Sequence, residues 1–418
     1  MNAPQTVAKR NAIEALRAGV PNRAAIRLLG SDEDALRQDF LGRLGQCDAA
    51  LRNGEQVEGI ILEGAFGAGK SHLLGYFSEL AQQEKFVVSQ VPISKETPLF
   101  DPARLYAAIV RAAVVPDAND DLMTAVMSRL HPNSDPHDAL ELWTTEEVRG
   151  GRLSPLFAAL LYLIPKLQPD DHARIARFFG GAKLNVTIAK GWLRGAGATK
   201  LFDLKPVREA DLALQRLRFA PRLLRAAGFS GWCVLLDEVE LIGRYSPLQR
   251  GRSYAELARW LGLDRDAATP GVVTVAAVTD DFQDFLSGKR DGELIPPRLT
   301  DRGMQPQSAM AKRGIERLER RQPRLSQPTE TTLRRSLDKI AGLYHEIYDW
   351  VPPQIAVAQM TRSGSIRQHV KSWITTWDIE RLYGQTPQIE TGTIATDYSE
   401  SSDIEKAPVA AGEDDADG

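Results

Sequence analysis

The stretch Gly59–Gln83, GIILEGAFGAGKSHLLGYFSELAQQ, constrains the fold more than any other part of the chain. Its apolar run reads as a buried strand and its glycines as a loop, and the remainder reads as a helix from Ser71 to Gln83. Gly64, Gly69, Lys70 and Ser71 satisfy the spacing G-x-x-x-x-G-K-[ST]. Glycines let a backbone curl so that several N–H groups point inward, and the helix start adds its positive end. Between a strand and a helix, such a loop suits the phosphates of a nucleotide. Gly64, Ala65, Phe66, Gly67, Ala68, Gly69, Lys70, Ser71 and His72 are therefore expected to hold it. Lys70 would reach the β- and γ-phosphates, and the Ser71 hydroxyl would help to hold Mg²⁺. The plainer alternative is a glycine turn followed by a surface lysine.

A phosphate site needs acids on a neighbouring strand, and CVLLDEVE at 233–240 offers them. Asp237 is the expected Mg²⁺ ligand, acting through water, and Glu238 the group that orients and polarises an attacking water. Glu240 is a weaker candidate for that work. The alternative is that the acids only cap a strand. A further strand lies within 271–282, and its polar end, Thr279 and Asp280, would approach the γ-phosphate if it runs beside the loop strand. No N-K-x-D guanine-reading motif occurs, so the expected base is adenine. LSGKR at 286–290 lacks the rest of an ABC-type signature.

Strands are also expected at 57–64, 86–94 and 232–238, alternating with helices. Strands that are apolar throughout indicate a parallel sheet covered on both faces. Helices are expected at 9–18, at 31–53 with Ser31 as N-cap, and across most of 101–227. Within that section 180–200 is glycine-rich and reads as a loop, Pro221 as a break, and Gly228 as a terminator. The 418 residues imply two or three domains, and 26% charged residues fit a soluble protein. Lys9, Arg10 and Arg17 interrupt the first apolar residues, which argues against a signal peptide. LFAALLYLI at 156–164 is too short to span a bilayer. A cytoplasmic protein with two buried free thiols, Cys47 and Cys233, is the expectation.

The net charge of −3 hides an asymmetry: residues 388–418 carry −8, leaving +5 on the rest. That acidic segment is expected to be disordered. The basic stretch 311–325 contains Lys312, Arg313, Arg317, Arg320, Arg321 and Arg324 and could neutralise nucleic-acid phosphates. Glu316 and Glu319 among them, and the lack of aromatics, favour solvated charge pairs on a helix face.

With GAFGAGKS, VLLDE, VTD and GSIRQHVKSWI in view, the chain resembles the AAA+ superfamily of P-loop ATPases, in its initiator-like clade. AIEALRAGVPNRAAIRLLG, ILEGAFGAGKSHLL and LLDEVELI resemble the ATP-binding proteins of bacterial BREX-type phage-defence systems. The resemblance implies an α/β, parallel-sheet AAA+ core at 57–327, entered through helices at 1–56. It also implies a large helical insertion at 96–206, a helical lid at 328–387 and an acidic tail at 388–418. Arg367 would be the second sensor, reaching the γ-phosphate from the lid. Arg298 and Arg302 fall where an arginine finger would reach a neighbouring subunit. The chain departs from the initiator pattern in the 167 residues from Lys70 to Asp237 and in a lid that runs into the acidic segment without a winged helix. The second departure weighs against sequence-specific DNA binding.

The expected function is that of an ATP-binding, ATP-hydrolysing protein in a multi-component defence system, using ATP and Mg²⁺. Its expected partners are other defence-system proteins and further copies of itself, with DNA a non-specific candidate and no membrane. The rival is a nucleotide-dependent switch or scaffold with slow or no turnover. A small-molecule kinase lacks an evident acceptor site.

Overall fold

The computed structural model describes residues 3–19, 22–31, 33–325, 329–355 and 366–384. The acidic segment 388–418, and Gly364 and Ser365 of GSIRQH, lie outside them. Five strands form one sheet: β1 (Ile60–Glu63), β2 (Phe86–Pro92), β3 (Ala113–Val114), β4 (Gly231–Asp237) and β5 (Val272–Val278). Their order is β1-β5-β4-β2-β3, and every pairing is parallel except β2 with β3. The acid-bearing β4 and the loop-bearing β1 are thus separated by a single strand. That strand is β5, placed beside β1 as the reading of Thr279 required.

Every residue of β1, β4 and β5 is buried, because both faces of the sheet are covered. One face presents Ile60, Leu62, Cys233, Leu235, Val273 and Val275 to the helices Asp34–Arg52 and Lys70–Gln83. Phe40 and Phe77 stack between those two helices, with ring centroids 4.3 Å apart. The other face presents Ile61, Trp232, Val234, Leu236 and Ala276 to the core shared with the helices between β2 and β4. Cys47 and Cys233 are free and buried, and burial pushes the Cys47 thiol up to about 12. Among the described residues no helix is long and apolar enough to cross a membrane.

The structure corrects three local expectations. The expected loop at 180–200 contains a helix, Val186–Gly195, capped by the Asn185 side chain, which accepts from Thr187 N. Lys190 and Gly191 obscure its apolar face, yet Ala189 and Leu193 are one turn apart and buried. Pro221 does not break its helix, which runs from Glu209 to Ala226. Leu217, Phe219, Ala220, Leu223 and Leu224 stay buried around it. Burial of that face outweighs the one backbone hydrogen bond that proline removes. The first sheet-covering helix begins at Asp34, not at Ser31, whose hydroxyl instead accepts from Glu33 N. Gly228 does terminate its helix, at φ 87°, with Phe229 N donating to Leu224 O.

A third apolar cluster joins the two ends of the chain. Ile13 and Leu16 of the helix Ala3–Ala18 pack with Ile340 and Tyr344 of Glu330–Tyr348 and with Trp373, Ile374 and Trp377 of Ile366–Tyr383. Arg17 clamps the cluster through two hydrogen bonds to Asp378, of 2.7 and 3.0 Å. The short helix Arg23–Leu29 ties it to the sheet side. Arg23 and Arg27 both pair with buried Glu79 on the helix Lys70–Gln83. Lys339 donates to Leu29 O at 2.7 Å. On the outer edge of β1, Glu63 N donates to Pro323 O and Leu325 N donates to Glu63 O, at 3.0 and 2.8 Å.

The basic stretch is mostly paired. Arg313 meets Asp264, Arg317 meets Glu58, Lys312 meets Glu316, and Arg324 meets Asp280. Only Lys312–Glu316 is a pair along the helix face as expected; the other three tie the stretch to residues elsewhere in the chain. Nearby, Arg250 donates twice to Asp291, at 3.0 Å each, and Tyr254 donates to the same carboxylate at 2.7 Å. All three residues are buried, and they join the helices Pro247–Trp260 and Asp291–Asp301. Asp291→Ala would strand the Arg250 charge in the core, so we expect a loss of about 3–5 kcal/mol in urea unfolding. A loss below about 1 kcal/mol would mean that the network contributes little.

Candidate functional site

A cavity of about 390 Å³ opens at the C-terminal ends of β1 and β4. Open parallel sheets place their ligands at such strand ends. Three walls meet there. The glycine loop and the start of its helix contribute Phe66, Gly67, Gly69, Lys70, Ser71 and His72. The turn after β4 contributes Asp237, Glu238, Glu240, Leu241 and Arg244. The terminal cluster contributes Ala15, Leu16, Gly19, Leu29, Ile366, Arg367 and Val370.

The loop owes its shape to two glycines. Gly67 has φ 78° and Gly69 φ 100°, backbone states that residues with a Cβ rarely adopt. Gly69 is also the N-cap of the helix Lys70–Gln83, so the helix's unpaired N–H groups face the cavity wall. Gly64 is held by space, because a Cβ there would lie 3.2 Å from Leu325 Cβ. The Lys70 ammonium folds back on its own loop, donating to Gly64 O at 2.8 Å and Ala65 O at 3.2 Å. Burial lowers its pKa, while Glu240, Asp237, Asp280 and Asp281 work against that shift. His72 places Nε2 2.8 Å from Gly30 O, which fastens the helix start to the segment after Leu29.

Across the cavity, β4 ends at buried Asp237, whose Oδ1 accepts from Glu238 N at 3.0 Å. Glu238 has φ 56° and ψ 36°, the left-handed region. Holding a non-glycine residue there costs about 1–3 kcal/mol, and such strain clusters at functional sites. The kink turns the chain from β4 into the 3-10 turn Val239–Arg244. Burial, then the neighbouring Asp237 charge, raises the Glu238 carboxyl above its ordinary value, with Arg244 and Lys70 opposing. Burial pushes Glu240 up to about 7. Its Oε2 is buried with no hydrogen-bond partner.

The loop, Asp237, Glu238 and Arg367 are therefore brought together, although Gly64, Ala65 and Ala68 shape the loop from behind the cavity lining. Arg367 is exposed and rests near Gly19, where a Cβ would meet its Cγ at 3.3 Å. Thr279 is buried at the end of β5 and does not line the cavity. Asp280 beside it pairs with Arg324 at 2.8 Å. Arg298 and Arg302 are exposed, on the helix Asp291–Asp301 and at its C-cap, and neither lines the cavity. The sequence reading did not include Leu241, Arg244 or the apolar wall from the terminal cluster. Its place at the end of the eight residues DEVELIGR is the one signal that could have pointed to Arg244.

Ser71 and Asp237 offer a hydroxyl and a carboxylate on facing walls of one cavity, and hard oxygen donors of this kind suit Mg²⁺. Sheet order, loop and acids are consistent with an α/β core of the phosphate-loop type. Residues 5–130 and 189–363 match the family model described as BREX system ATP-binding protein BrxC/D. This match spans more than half of the 418 residues, and the chain belongs to that family of ATP-binding proteins. The unmatched residues 131–188 include the helices Asp135–Arg149, Pro155–Leu163 and Pro169–Phe179, all between β2 and β4. No curated protein matches the chain.

The raised Glu240 carboxyl has a consequence for stability. Its folded-state value of about 7 stands above the ordinary 4.5, so the folded protein holds the extra proton. The resulting stabilisation is fully present below 4.5 and is lost as pH rises through about 7. Glu240→Gln, which cannot ionise, should melt like wild type at pH 4.5 and at a higher temperature at pH 8, measured without nucleotide. Equal melting temperatures at both pH values would show that the carboxyl is not held neutral.

Proposed function

We propose that the chain binds ATP with Mg²⁺ and hydrolyses it to ADP and phosphate as an AAA+ protein of a phage-defence system. The observation that carries this reading is the facing of two groups across one cavity: Lys70 and Ser71 on the loop, and Asp237 and Glu238 on the acid strand. A carboxylate beside a metal-ligand acid suits the activation of water. The sheet order supports the superfamily reading, since β5 lies between β1 and β4 and carries Thr279 as the candidate first sensor.

In this reading the loop N–H groups cradle the phosphates, and Lys70 leaves the carbonyls of Gly64 and Ala65 to reach the β- and γ-phosphates. Ser71 and Asp237 hold Mg²⁺, which when bound neutralises charge developing on the phosphoryl oxygens. Glu238 aligns the attacking water. Leu16, Leu29, Ile366 and Val370 offer the apolar wall for adenine. Arg367 serves as second sensor from the lid formed by the terminal helices. Arg298 or Arg302 acts as the finger in a neighbouring copy, and their exposure outside the cavity supports an action in trans. Hydrolysis then depends on a homo-oligomer or on other components of the system. DNA contact, where it occurs, is not sequence-specific.

Phosphate release should be measured with and without DNA and the system's other proteins. Lys70→Ala should weaken ATP binding by at least about tenfold. Glu238→Gln should keep binding while turnover falls by about 10² or more. A wild-type chain that releases no phosphate under any of these conditions overturns the reading. Full biological activity of Glu238→Gln alongside an inactive Lys70→Ala would favour a nucleotide-dependent switch.

A further inference from the structure

The helix Asp135–Arg149 begins with a group of ligand-type side chains, none of which lines the nucleotide cavity. This helix buries His137, Leu140, Thr144 and Glu147, at the three- and four-residue spacing of a core-facing stripe. The polar members of the stripe are satisfied with one exception. The Thr144 hydroxyl donates to Leu140 O at 2.7 Å, and the Glu147 carboxylate accepts from Arg152 and Arg218. His137 is 3% exposed, and neither of its ring nitrogens has a hydrogen-bond partner among the described residues. Such burial of polar atoms is costly, and a leucine at this position would carry no such cost.

The neighbouring carboxylates give the imidazole a use. One ligand atom each from His137, Asp138 and Glu141 lie within 4.8 Å of one another. Nδ1 of His137 stands 3.7 Å from Oδ1 of Asp138, too far for a hydrogen bond. Two donors held about 2.1 Å from one tetrahedral ion are about 3.4 Å apart, so the observed gap is close to that between ligands of a single metal. We propose that His137, Asp138 and Glu141 bind a divalent metal ion of the zinc class. An imidazole nitrogen favours such an ion over Mg²⁺ or Ca²⁺, which prefer oxygen donors alone. The ion takes the acceptor nitrogen of the neutral ring and leaves only the Nε2 proton unpaired. The Asp138 side chain is 64% exposed, which gives the ion an approach from solvent. Three protein ligands leave a fourth position for water. The site falls in residues 131–188, which the family model does not match, and it does not depend on the reading of the nucleotide cavity.

The test titrates Zn²⁺ into the full chain after treatment with a chelator. Excess Mg²⁺ in the buffer occupies the hard-oxygen donors of the nucleotide cavity. Calorimetry should show one Zn²⁺ per chain with micromolar or tighter affinity. The double variant Asp138→Asn with Glu141→Gln leaves the buried stripe intact. It should bind at least about tenfold more weakly, since loss of even an outer partner costs a metal site about 10–100-fold. Zn²⁺ should raise the melting temperature of wild type and leave that of the double variant unchanged. His137→Gln should lose the site as well; should it fail to fold, the double variant decides. Wild type without such a Zn²⁺ site overturns the proposal. So does a double variant that binds within about twofold of wild type, or whose melting temperature Zn²⁺ raises equally, since the ion would then sit elsewhere. ATP turnover enters neither readout, so its absence would leave this result standing.

Discussion

The placement of β5 between β1 and β4 is the constraint on which the rest depends. Parallel pairing aligns the C-terminal ends of the three strands, with Glu63 opposite Val278 and Leu236 opposite Ala276. The loop and the acid turn leave the sheet from those ends and face one another across the width of one strand. β5 can fill that place because it is VVTVAAV, small side chains that are apolar apart from the buried Thr274. A larger residue at Ala276 or Ala277 would press on helices on either side of the sheet, where interiors tolerate little added volume. Chemistry at the rim thus rests on small side chains beneath it.

Electrostatics then set the resting character of the cavity. Asp237, Glu238 and Glu240 crowd into a partly dehydrated site with Lys70 as the cation on the opposite wall and Arg244 at the end of the turn. Lys70 donates to two carbonyls of its own loop. Acids of this density are tolerated because burial shifts Glu238 and Glu240 toward their neutral forms.

How much was legible in the sequence follows from the range of each interaction. The glycine loop, the acid pair and the strand–helix alternation are local patterns, and the residues that carry them stand where the reading put them. The neighbouring of β1 and β5 needed a topology that the reading stated only as a condition. The helix at 186–195 was hidden because Gly191 and Lys190 interrupt its apolar spacing, and Pro221 misled because tertiary burial overrides one missing hydrogen bond. Glu240 was named only as a weaker candidate, and the place of Arg244 depends on a backbone kink at Glu238 that no residue preference announces. The apolar wall could not be read at all, since Leu16 and Leu29 meet Ile366 and Val370 only in three dimensions.

That wall also sets an order of events during synthesis. The loop and the acid turn are complete once β5 has left the ribosome, but the third wall awaits Ile366, Arg367 and Val370, near the end of the described chain. The helix Ala3–Ala18 packs early on Arg23–Leu29 but meets Glu330–Tyr348 and Ile366–Tyr383 only after they have been made. Until then a nascent chain offers phosphates a cradle without a closed chamber. A fully walled cavity therefore reports that translation has passed Val370.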